Sequence, residues 1–280
     1  MKFGELEFHI LTDGTFRLDG GAMFGVIPKP MWERVAPADA RNRITLAMNS
    51  LLIRTGGKII LVETGAGDKW DAKRRDIYAF EGKRLLEQLA EHGVQPEDVD
   101  IVVNTHLHFD HCGWNTRVVD GKVVATFPNA RYVVHRGQLE HARHATERDQ
   151  ASYFAENYEP IAAEGKWDLV SSQSDFNVVA GVDLMATTGH TTDMMCVRLS
   201  GGGETAVFLA DLVPTAAHLG WPWIMGFDLY PMMTLDAKKK WLPEIAREGW
   251  LAIFGHDAIM PAARLRQEGG KITAQAVKVD

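Results

Sequence analysis

A short polar motif at the end of an apolar run constrains this sequence more than any other feature. The run D-I-V-V-N leads directly into T-H-L-H-F-D-H-C-G, so four side chains that can ligate metals lie within six residues. The β-branched run predicts a buried strand, and ordinary turn chemistry does not account for so many imidazoles at its end. Any fold of this chain must therefore gather them at one strand terminus. The four residues are His106, His108, Asp110 and His111.

The spacing of this motif suits two metal ions. Zinc accepts imidazole nitrogen and carboxylate oxygen at about 2.0–2.2 Å. Alternation along an extended strand end directs His106 and His108 to the same side, so these two residues can share one ion. The turn that follows redirects Asp110 and His111, which predicts a second ion roughly 3.5–4 Å away, as in two-metal hydrolases.

Three further ligand-type residues occupy the same context. His190 follows D-L-M-A-T-T-G, Asp211 follows T-A-V-F-L-A, and His256 follows W-L-A-I-F-G. In open α/β sheets, binding residues gather beyond the carboxyl ends of the strands, so neighbouring strands would bring all these side chains together. Such a set leaves both ions short of full coordination, with room for water and a substrate.

Apolar, β-branched runs alternate along the chain with segments of helical period. This mixture predicts an α/β or α+β class in a single domain over residues 1–280, because no repeat or Pro/Ser-rich linker divides the chain. A loop over residues 17–43 is expected to reach over the site. A polar helical insertion at about 136–166 is interpreted as a solvated surface helix, with a dimer contact or a lid as the alternatives.

Charge and composition exclude several classes of partner. The net charge of −7 and the pI near 5.9 disfavour nucleic acid, whose ligands usually carry a basic patch. No apolar run reaches the roughly 18 residues of a membrane span, and no secretory signal is recognised, so the cytoplasm is the expected compartment. Cys112 and Cys196 are expected to be reduced thiols, with Cys112 a small buried residue rather than a ligand. A small-molecule substrate is expected, and a homodimer is left open.

The motif H-x-H-x-D-H matches the signature of the metallo-β-lactamase superfamily, which the chain resembles from about residue 45 to 260. G-H at His190, A-D at Asp211 and G-H at His256 follow in the family's order. The resemblance implies a four-layer αββα sandwich with the site along one edge. By the same resemblance, His106, His108 and His190 bind the first metal, Asp110, His111 and His256 bind the second, and Asp211 bridges them.

The complete ligand set, with Asp211 rather than a cysteine at the bridging position, looks like the branch of N-acyl homoserine lactone lactonases and methyl parathion hydrolases. We therefore expect two Zn²⁺ per chain, or Mn, Fe or Co in their place. A metal-bridging hydroxide would attack the substrate, and Asp110 or Asp211 would hand the proton to the leaving group. The expected activity is a lactonase or esterase on hydrophobic small molecules, with a phosphotriesterase or β-lactamase-like hydrolase as the alternative. The complete, histidine-rich set disfavours a redox protein or a non-catalytic binding module.

Three positions depart from the family pattern. The usual D-T-G reads E-T-G at residues 63–65, and the longer carboxylate of Glu63 would change the hydrogen bonds that orient the metal histidines. The usual T-P-G-H reads T-T-D-M at 191–194. Lactone-cleaving relatives carry a tyrosine shortly after the bridging aspartate, where this chain has L-V-P at 212–214. His218 or Tyr230 would have to supply an equivalent donor.

An aromatic run is the candidate for a hydrophobic substrate wall. The segment W-P-W-I-M-G-F at residues 221–227 is unusually dense in large apolar side chains for a loop after a metal ligand. Packing around the metal loop is the alternative interpretation. The predicted substrate-binding residues are Met23, Phe24, His218, Trp221, Trp223 and Tyr230.

Overall fold

The structure is a computed structural model that describes residues 1–171 and 175–279. Strands from the first part of the chain form a seven-stranded sheet, in which four neighbouring strands run parallel and the others antiparallel. The strands of this sheet are β1 Lys2–Phe3, β2 Leu6–Asp19, β3 Arg43–Thr55, β4 Lys58–Val62, β5 Ile101–Val103, β8 Arg131–His135 and β9 Trp167–Val170. A separate hairpin consists of β6 Thr116–Val119 and β7 Lys122–Ala125. The spatial order in the sheet is β1-β2-β3-β4-β5-β8-β9.

The later part of the chain forms a second seven-stranded sheet whose strands lie side by side in sequence order. Its one parallel pair among the described residues is β13 with β14. The strands are β10 Phe176–Val179, β11 Val182–Ala186, β12 Met195–Gly201, β13 Glu204–Phe208, β14 Leu251–Ile253, β15 Ala262–Glu268 and β16 Lys271–Ala276.

Helices cover the sheets and fill the connections between strands. The α-helices are α1 Gly20–Phe24, α2 Lys29–Trp32, α3 Ala72–Tyr78, α4 Leu85–Glu91, α5 Phe109–Cys112, α6 Arg136–Arg143, α7 Glu159–Ala163 and α8 Pro231–Arg247. Short 3₁₀ turns lie at Pro96–Asp98, Gly113–Asn115, Gln150–Ser152, Ala155–Asn157, Ala210–Leu212 and Ala216–Leu219.

Alternation along the central strands explains why their sequences are apolar throughout. In β3, Leu51 and Ile53 belong to the core between the two sheets, where they join residues of the second sheet such as Val197. Leu52 points to the opposite face and packs in a cluster with Leu89 of α4. Both faces of the strand are therefore covered, as a continuous apolar run requires.

Helix α8 covers the outer face of the second sheet. Trp241, Leu242 and Ile245 of this helix are buried in the same core as the second sheet, and α8 packs against β15. The order of layers is therefore α4, first sheet, second sheet and α8. This arrangement confirms the predicted α/β class and the four-layer αββα sandwich.

Strand direction places the ends of several strands at one edge. β11 and β13 are both antiparallel to β12, and β14 is parallel to β13, so β11, β13 and β14 share one direction. Each of these strands leads into one predicted ligand, and β5 of the first sheet leads into the H-x-H-x-D-H motif.

Two segments contain more regular structure than the sequence predicts: residues 17–43, expected as a loop over the site, and residues 136–166, expected as a solvated surface helix. Strand β2 extends to Asp19, whose side chain accepts a hydrogen bond from the backbone N–H of Ala22 at 2.9 Å and so caps α1. In the segment 136–166, α6 is followed by two 3₁₀ turns and then by α7. Pro160 in the first turn of α7 starts a new helix, because proline lacks an N–H and fits that position.

Candidate metal centre

The H-x-H-x-D-H motif lies where β5 ends and turns into a short helix. His106 and His108 stand in the extended segment between β5 and α5, while Asp110 and His111 lie within α5. All four side chains are buried. Among the other candidates, His190 follows β11, Asp211 lies in the 3₁₀ turn after β13, and His256 follows β14, and these three are buried as well.

One group of ligand atoms gathers around three histidines. Nε2 of His106 and Nε2 of His190 each lie 3.1 Å from Nδ1 of His108. Oδ2 of Asp211 lies 3.1 Å from Nε2 of His190 and 3.9 Å from Nε2 of His106. The three imidazoles thus present nitrogen atoms to a common point, with a carboxylate oxygen beside them.

A second group lies on the other side of Asp211. Nε2 of His111 and Nε2 of His256 are 3.1 Å apart. Oδ2 of Asp110 lies 3.8 Å from the His111 nitrogen and 3.6 Å from the His256 nitrogen. Oδ1 of Asp211 lies 3.4 Å and 3.0 Å from the same two nitrogens. Asp211 therefore stands between the groups, with one oxygen facing each.

These distances fit divalent metal ions. Ligands in a tetrahedral zinc site, at about 2.0–2.1 Å from the ion, lie roughly 3.3 Å from one another. The four atoms of the first group and the three of the second lie within 4.8 Å of one another in each group. Oδ1 of Asp211 is buried and has no hydrogen-bond partner among the described residues. A buried carboxylate oxygen in that position needs a cation or a donor, so the residues present fit the group that the motif implies.

The electrostatics of the site divide the histidine ligands. Burial opposes protonation of His111, His190 and His256, but nearby carboxylates, above all Asp211, outweigh it and raise the pKa of these three residues. Burial, with help from the neighbouring histidines, lowers the pKa of His106 and of His108 well below the ordinary value. These imidazoles are therefore neutral, which is the form that donates a lone pair to a metal. Burial opposes ionisation of Asp211, but His256 and the other nearby histidines outweigh it and lower the pKa of this carboxyl.

Further hydrogen bonds hold the ligand rings in orientation. Oδ1 of Asp228 lies 2.9 Å from Nδ1 of His190, and the Thr234 hydroxyl donates to Oδ2 of Asp228 at 2.6 Å. Nδ1 of His256 donates to the Ala47 carbonyl at 2.8 Å. Such contacts fix the tautomer and direct the opposite ring nitrogen toward the metal.

Glu63, one of the departures from the family pattern, also supports a ligand. Its Oε2 lies 3.2 Å from Nδ1 of His111, and its Oε1 accepts a hydrogen bond from the backbone N–H of Thr105 at 2.7 Å. The residue has a φ of 63°, which a non-glycine residue adopts only where surrounding contacts stabilise it. The longer carboxylate thus reaches His111 from a strained backbone position.

A cleft of about 230 Å³ opens beside the two groups. Besides the ligand segments, its walls come from the end of β2 with α1, from the end of α3, from the 136–166 segment and from the loop before α8. Arg148 donates from Nη2 to the Gly226 carbonyl at 2.6 Å, and the Gly226 N–H donates to the Ala22 carbonyl at 2.8 Å, so three of these segments are joined. The lining residues are Leu18, Met23, Tyr78, His108, Phe109, Asp110, Arg148, Asp149, Ala151, Ser152, His190, Asp211, Met225, Gly226, Phe227 and His256.

The predicted substrate residues are distributed differently from the expectation. Met23 lines the cleft, but Phe24, Trp221, Trp223 and Tyr230 are not among the described residues that line it. Phe24 and Trp223 pack edge to face at 5.5 Å. The Trp221 indole donates to the Gly270 carbonyl, and Tyr230 precedes α8 with 44% of its surface exposed. From the aromatic run, Met225 and Phe227 face the cleft instead of the tryptophans.

His218 does not supply the donor that the sequence requires. Its Nε2 donates to the Met23 carbonyl at 2.8 Å, and its Nδ1 accepts from the Thr215 hydroxyl at 2.8 Å. Phe24 stacks on the ring at 4.7 Å. Burial lowers the pKa of His218 to about 4, so the ring is neutral and both nitrogens are occupied within the protein. This residue is a packing element behind the cleft wall.

The cleft also contains residues that the sequence reasoning missed. Phe109 lies inside the metal motif, between two ligands, and its position there was a usable signal. Tyr78 at the end of α3 and Arg148 in the 136–166 segment carry no local signal, because only the tertiary fold brings them to the cleft. Burial raises the pKa of Tyr78, and the nearby charge of Asp110 contributes in the same direction.

The same ligand order and the same layers occur in proteins of one known family. The family model of the Metallo-beta-lactamase superfamily matches residues 45–256. The chain belongs to the metallo-beta-lactamase superfamily. The matched region contains the whole H-x-H-x-D-H motif together with His190, Asp211 and His256.

This superfamily member is similar to several lactonases and to a probable hydrolase. The N-acyl homoserine lactonase AiiA of Bacillus thuringiensis subsp. kurstaki is 27% identical over 189 residues, and the match spans 63% of each chain. A probable metal-dependent hydrolase from Staphylococcus aureus has 28% identity, a TM-score of 0.91 and full coverage of both chains. AidC, described as a dizinc quorum-quenching lactonase, has 21% identity and a TM-score of 0.81, and covers 100% of this chain and 97% of its own.

Family membership and these hydrolase relatives identify the chain as a metallo-hydrolase. Because the chain covers less than two thirds of the length of AiiA, that likeness alone does not transfer a substrate. Within the described residues, no helix is both long enough and apolar enough to cross a membrane.

Proposed function

We propose that this metallo-beta-lactamase superfamily protein is a dinuclear hydrolase of lactones and esters of hydrophobic small molecules, with N-acyl homoserine lactones as the expected class. The observation that carries the proposal is the position of Asp211. Its Oδ2 faces the His106 and His190 group, and its Oδ1 faces the His111 and His256 group. A carboxylate with both oxygens so directed suits two ions and exceeds what one ion requires.

The donor set favours zinc, although Mn, Fe and Co accept the same ligands. Imidazole and carboxylate groups are borderline to hard donors, and no thiolate joins them. The Cys112 thiol donates weakly to the Leu107 carbonyl at 3.4 Å, and burial raises its pKa, so it stays protonated. When bound, a pair of divalent ions supplies a water activated at neutral pH and polarises the bond to be cleaved.

The protein's own residues position the substrate and move the proton. Asp110 is both a member of the second group and part of the cleft lining, so its carboxylate can accept a proton and pass it to a leaving group. Met225, Phe227 and Phe109 line the same cleft and exclude water from one side. An apolar chain on the substrate fits against these side chains.

We assign to Tyr78 the role that the tyrosine after the bridging aspartate has in lactone-cleaving relatives. Leu212 and Val213 are buried and apolar, and both ring nitrogens of His218 are occupied. Tyr78 lines the cleft from α3, close enough to Asp110 for that carboxylate to affect its pKa. Its hydroxyl can therefore donate to the carbonyl oxygen of a substrate held beside the ligands.

The activities of two similar proteins support this substrate class. AiiA is an N-acyl homoserine lactonase, and AidC is a dizinc lactonase bound to the product N-hexanoyl-L-homoserine. A phosphotriesterase is the second candidate, because the metal-derived part of the chemistry serves acyl and phosphoryl centres alike.

Metal analysis combined with a substrate panel tests the proposal. We expect about two equivalents of zinc per chain, and hydrolysis of N-hexanoyl homoserine lactone exceeding that of an aryl ester, a phosphotriester and a cephalosporin. The chelated protein should lose activity and regain it on addition of Zn²⁺. One equivalent or less, with no gain on adding Zn²⁺ or Mn²⁺, contradicts the dinuclear part. A phosphotriester hydrolysed faster than every lactone contradicts the substrate part.

A further inference from the structure

A fully buried lysine stands behind the wall of the cleft. Lys238 on α8 has 0% of its surface exposed, and no carboxylate among the described residues lies within ion-pair distance of it. Its Nζ instead contacts three backbone carbonyls, those of His218 at 2.7 Å, Gly220 at 2.6 Å and Trp223 at 2.9 Å. All three acceptors belong to one loop.

This arrangement is specific to a charged amine. An ammonium group has three donors, and each finds one carbonyl here, whereas a neutral amine would leave one carbonyl without a donor. Burial lowers the pKa of Lys238 to about 7, and the charge of Asp228 opposes that change. Burial of an ammonium group without such partners would cost free energy. The lysine and the loop therefore stabilise each other's position.

The loop held by Lys238 continues directly into the cleft wall. Two residues after Trp223, Met225 begins the stretch to Phe227 that lines the cleft. The Gly226 N–H donates to the Ala22 carbonyl at 2.8 Å, which connects this stretch to the β2–α1 segment. A shift of the loop at its anchored carbonyls would therefore move the apolar side chains that face the substrate.

A second residue one turn earlier on α8 serves the metal ligands instead. Thr234 donates to Asp228, which in turn orients His190. A backbone hydrogen bond also holds Asp228 near His190, because the N–H of Leu229, the residue after Asp228, donates to the His190 carbonyl at 3.0 Å. Thr234 and Lys238 lie four residues apart and so share one face of the helix.

We propose that Lys238 is a positioning residue that sets the shape of the apolar wall and thereby the chain length of the substrate, while Thr234 positions the metal ligand His190. The inference rests on the proposed function, since it concerns substrates with an apolar chain. Two residues of α8 thus have separate roles: Lys238 positions the apolar wall, and Thr234 positions a metal ligand.

The test compares Lys238→Met with Thr234→Val and with the exposed-neighbour control Lys239→Met. In Lys238→Met, the ratio of kcat/KM for N-decanoyl over N-butanoyl homoserine lactone should fall about tenfold, roughly the contribution of two buried methylenes, and mainly through KM. Zinc content should match the wild type. Thr234→Val should show the reverse pattern: it should retain zinc more weakly and have a lower kcat, while its ratio of kcat/KM for the two lactones stays nearly constant. Lys239→Met should match the wild type in zinc content and in that ratio.

A readout independent of activity separates this inference from the proposed function. Hydrogen exchange at the amides of residues 218–226 should accelerate in Lys238→Met and stay at the wild-type rate in Lys239→Met. If the wild type hydrolyses no lactone, the substrate proposal fails, and the exchange data alone still decide whether Lys238 holds the loop. Unchanged exchange in a folded Lys238→Met protein overturns the inference.

A milder substitution covers the case in which Lys238→Met does not fold. Lys238→Gln keeps two N–H donors without the charge, so its chain-length ratio should lie between those of the wild type and Lys238→Met. A folded Lys238→Gln protein whose ratio stays within about twofold of the wild type overturns the assignment of selectivity to Lys238.

Discussion

The ligand groups and the cleft wall lie beside each other but are built in different ways. The ligands follow strand ends, and carboxylates stand beside their rings: Asp228 accepts a hydrogen bond from His190, and Glu63 lies 3.2 Å from Nδ1 of His111. Most of the wall comes from segments that connect the strands, and a few hydrogen bonds, such as that of Arg148 to Gly226, join these segments. The proposed chemistry therefore rests on the strand ends, whereas the proposed selectivity rests mainly on connecting segments, which tolerate more change.

Removing the residue shared by both ligand groups should have the largest effect. Asp211→Ala removes an oxygen from each group, so we expect kcat/KM to fall about a thousandfold or more, given that metal polarisation contributes several kcal/mol. Zinc content should fall as well, and circular dichroism should show a folded protein. Activity within tenfold of the wild type would show that the two groups do not depend on this carboxylate.

Tyr78→Phe tests the role proposed for a phenol of the cleft wall. Loss of one donor to the reacting oxygen should lower kcat about a hundredfold with zinc content unchanged. The matched control is Tyr230→Phe, which removes a hydroxyl outside the cleft. Equal kinetics for the two variants would leave Tyr78 as a wall residue only.

Asp228→Ala should affect the metal more than the substrate. Loss of a hydrogen bond to a ligating histidine commonly costs tenfold to a hundredfold in metal affinity, so zinc should dissociate more readily from this variant during competition with a chelator. The chain-length preference of the fully loaded variant should change less than that of Lys238→Met, because Lys238 loses the nearby charge of Asp228 but keeps its three carbonyl acceptors. A change as large as that of Lys238→Met at equal zinc content would break the separation between the two regions.

The smallest predicted effects on kcat/KM concern the aromatic run at 221–227, in which Met225 and Phe227 line the cleft and Trp221 does not. Each buried methylene contributes about 0.8 kcal/mol, or roughly fourfold in kcat/KM, so Met225→Ala and Phe227→Ala should flatten the dependence on chain length. Trp221→Ala should leave that dependence within about twofold of the wild type, since Trp221 lies outside the cleft lining. A flattened dependence in the Trp221 variant would return the tryptophans to the substrate wall.

Local sequence pattern predicts the central strands of the sheets and places the candidate ligands at the ends of strands. The runs around β3, β4 and β5 were recognised because each is apolar on both faces, which a strand between two layers requires. The seven candidate ligands follow the same pattern, because each stands after such a strand or in the adjoining turn. Strands β9, β10 and β15 were not recognised, since partly exposed strands lack a continuous apolar run.

Most of the wall could not be predicted, because its side chains come from segments distant in sequence, although the predicted residue Met23 does line the cleft. Trp221 and Trp223 were chosen for their size, yet position within the loop decides which residues face the cleft, and there Met225 and Phe227 do so. The fully buried Lys238 gave no signal either, because it stands in a K-K-K run that is typical of a solvated helix face. Only the packing of α8 distinguishes it from Lys239 and Lys240.

Phe227 and Asp228 are adjacent, and this adjacency has an evolutionary consequence. Phe227 belongs to the wall, whereas Asp228 holds a ligand, so the two regions share a peptide bond at this point. Substitutions at wall residues that adjoin no ligand, such as Leu18, should combine more nearly additively with changes near the ligands. Epistasis should concentrate at Phe227 and at Phe109, which lies between the ligands His108 and Asp110, because a lineage that acquires a new substrate must change these wall residues while keeping the backbone that carries the ligands.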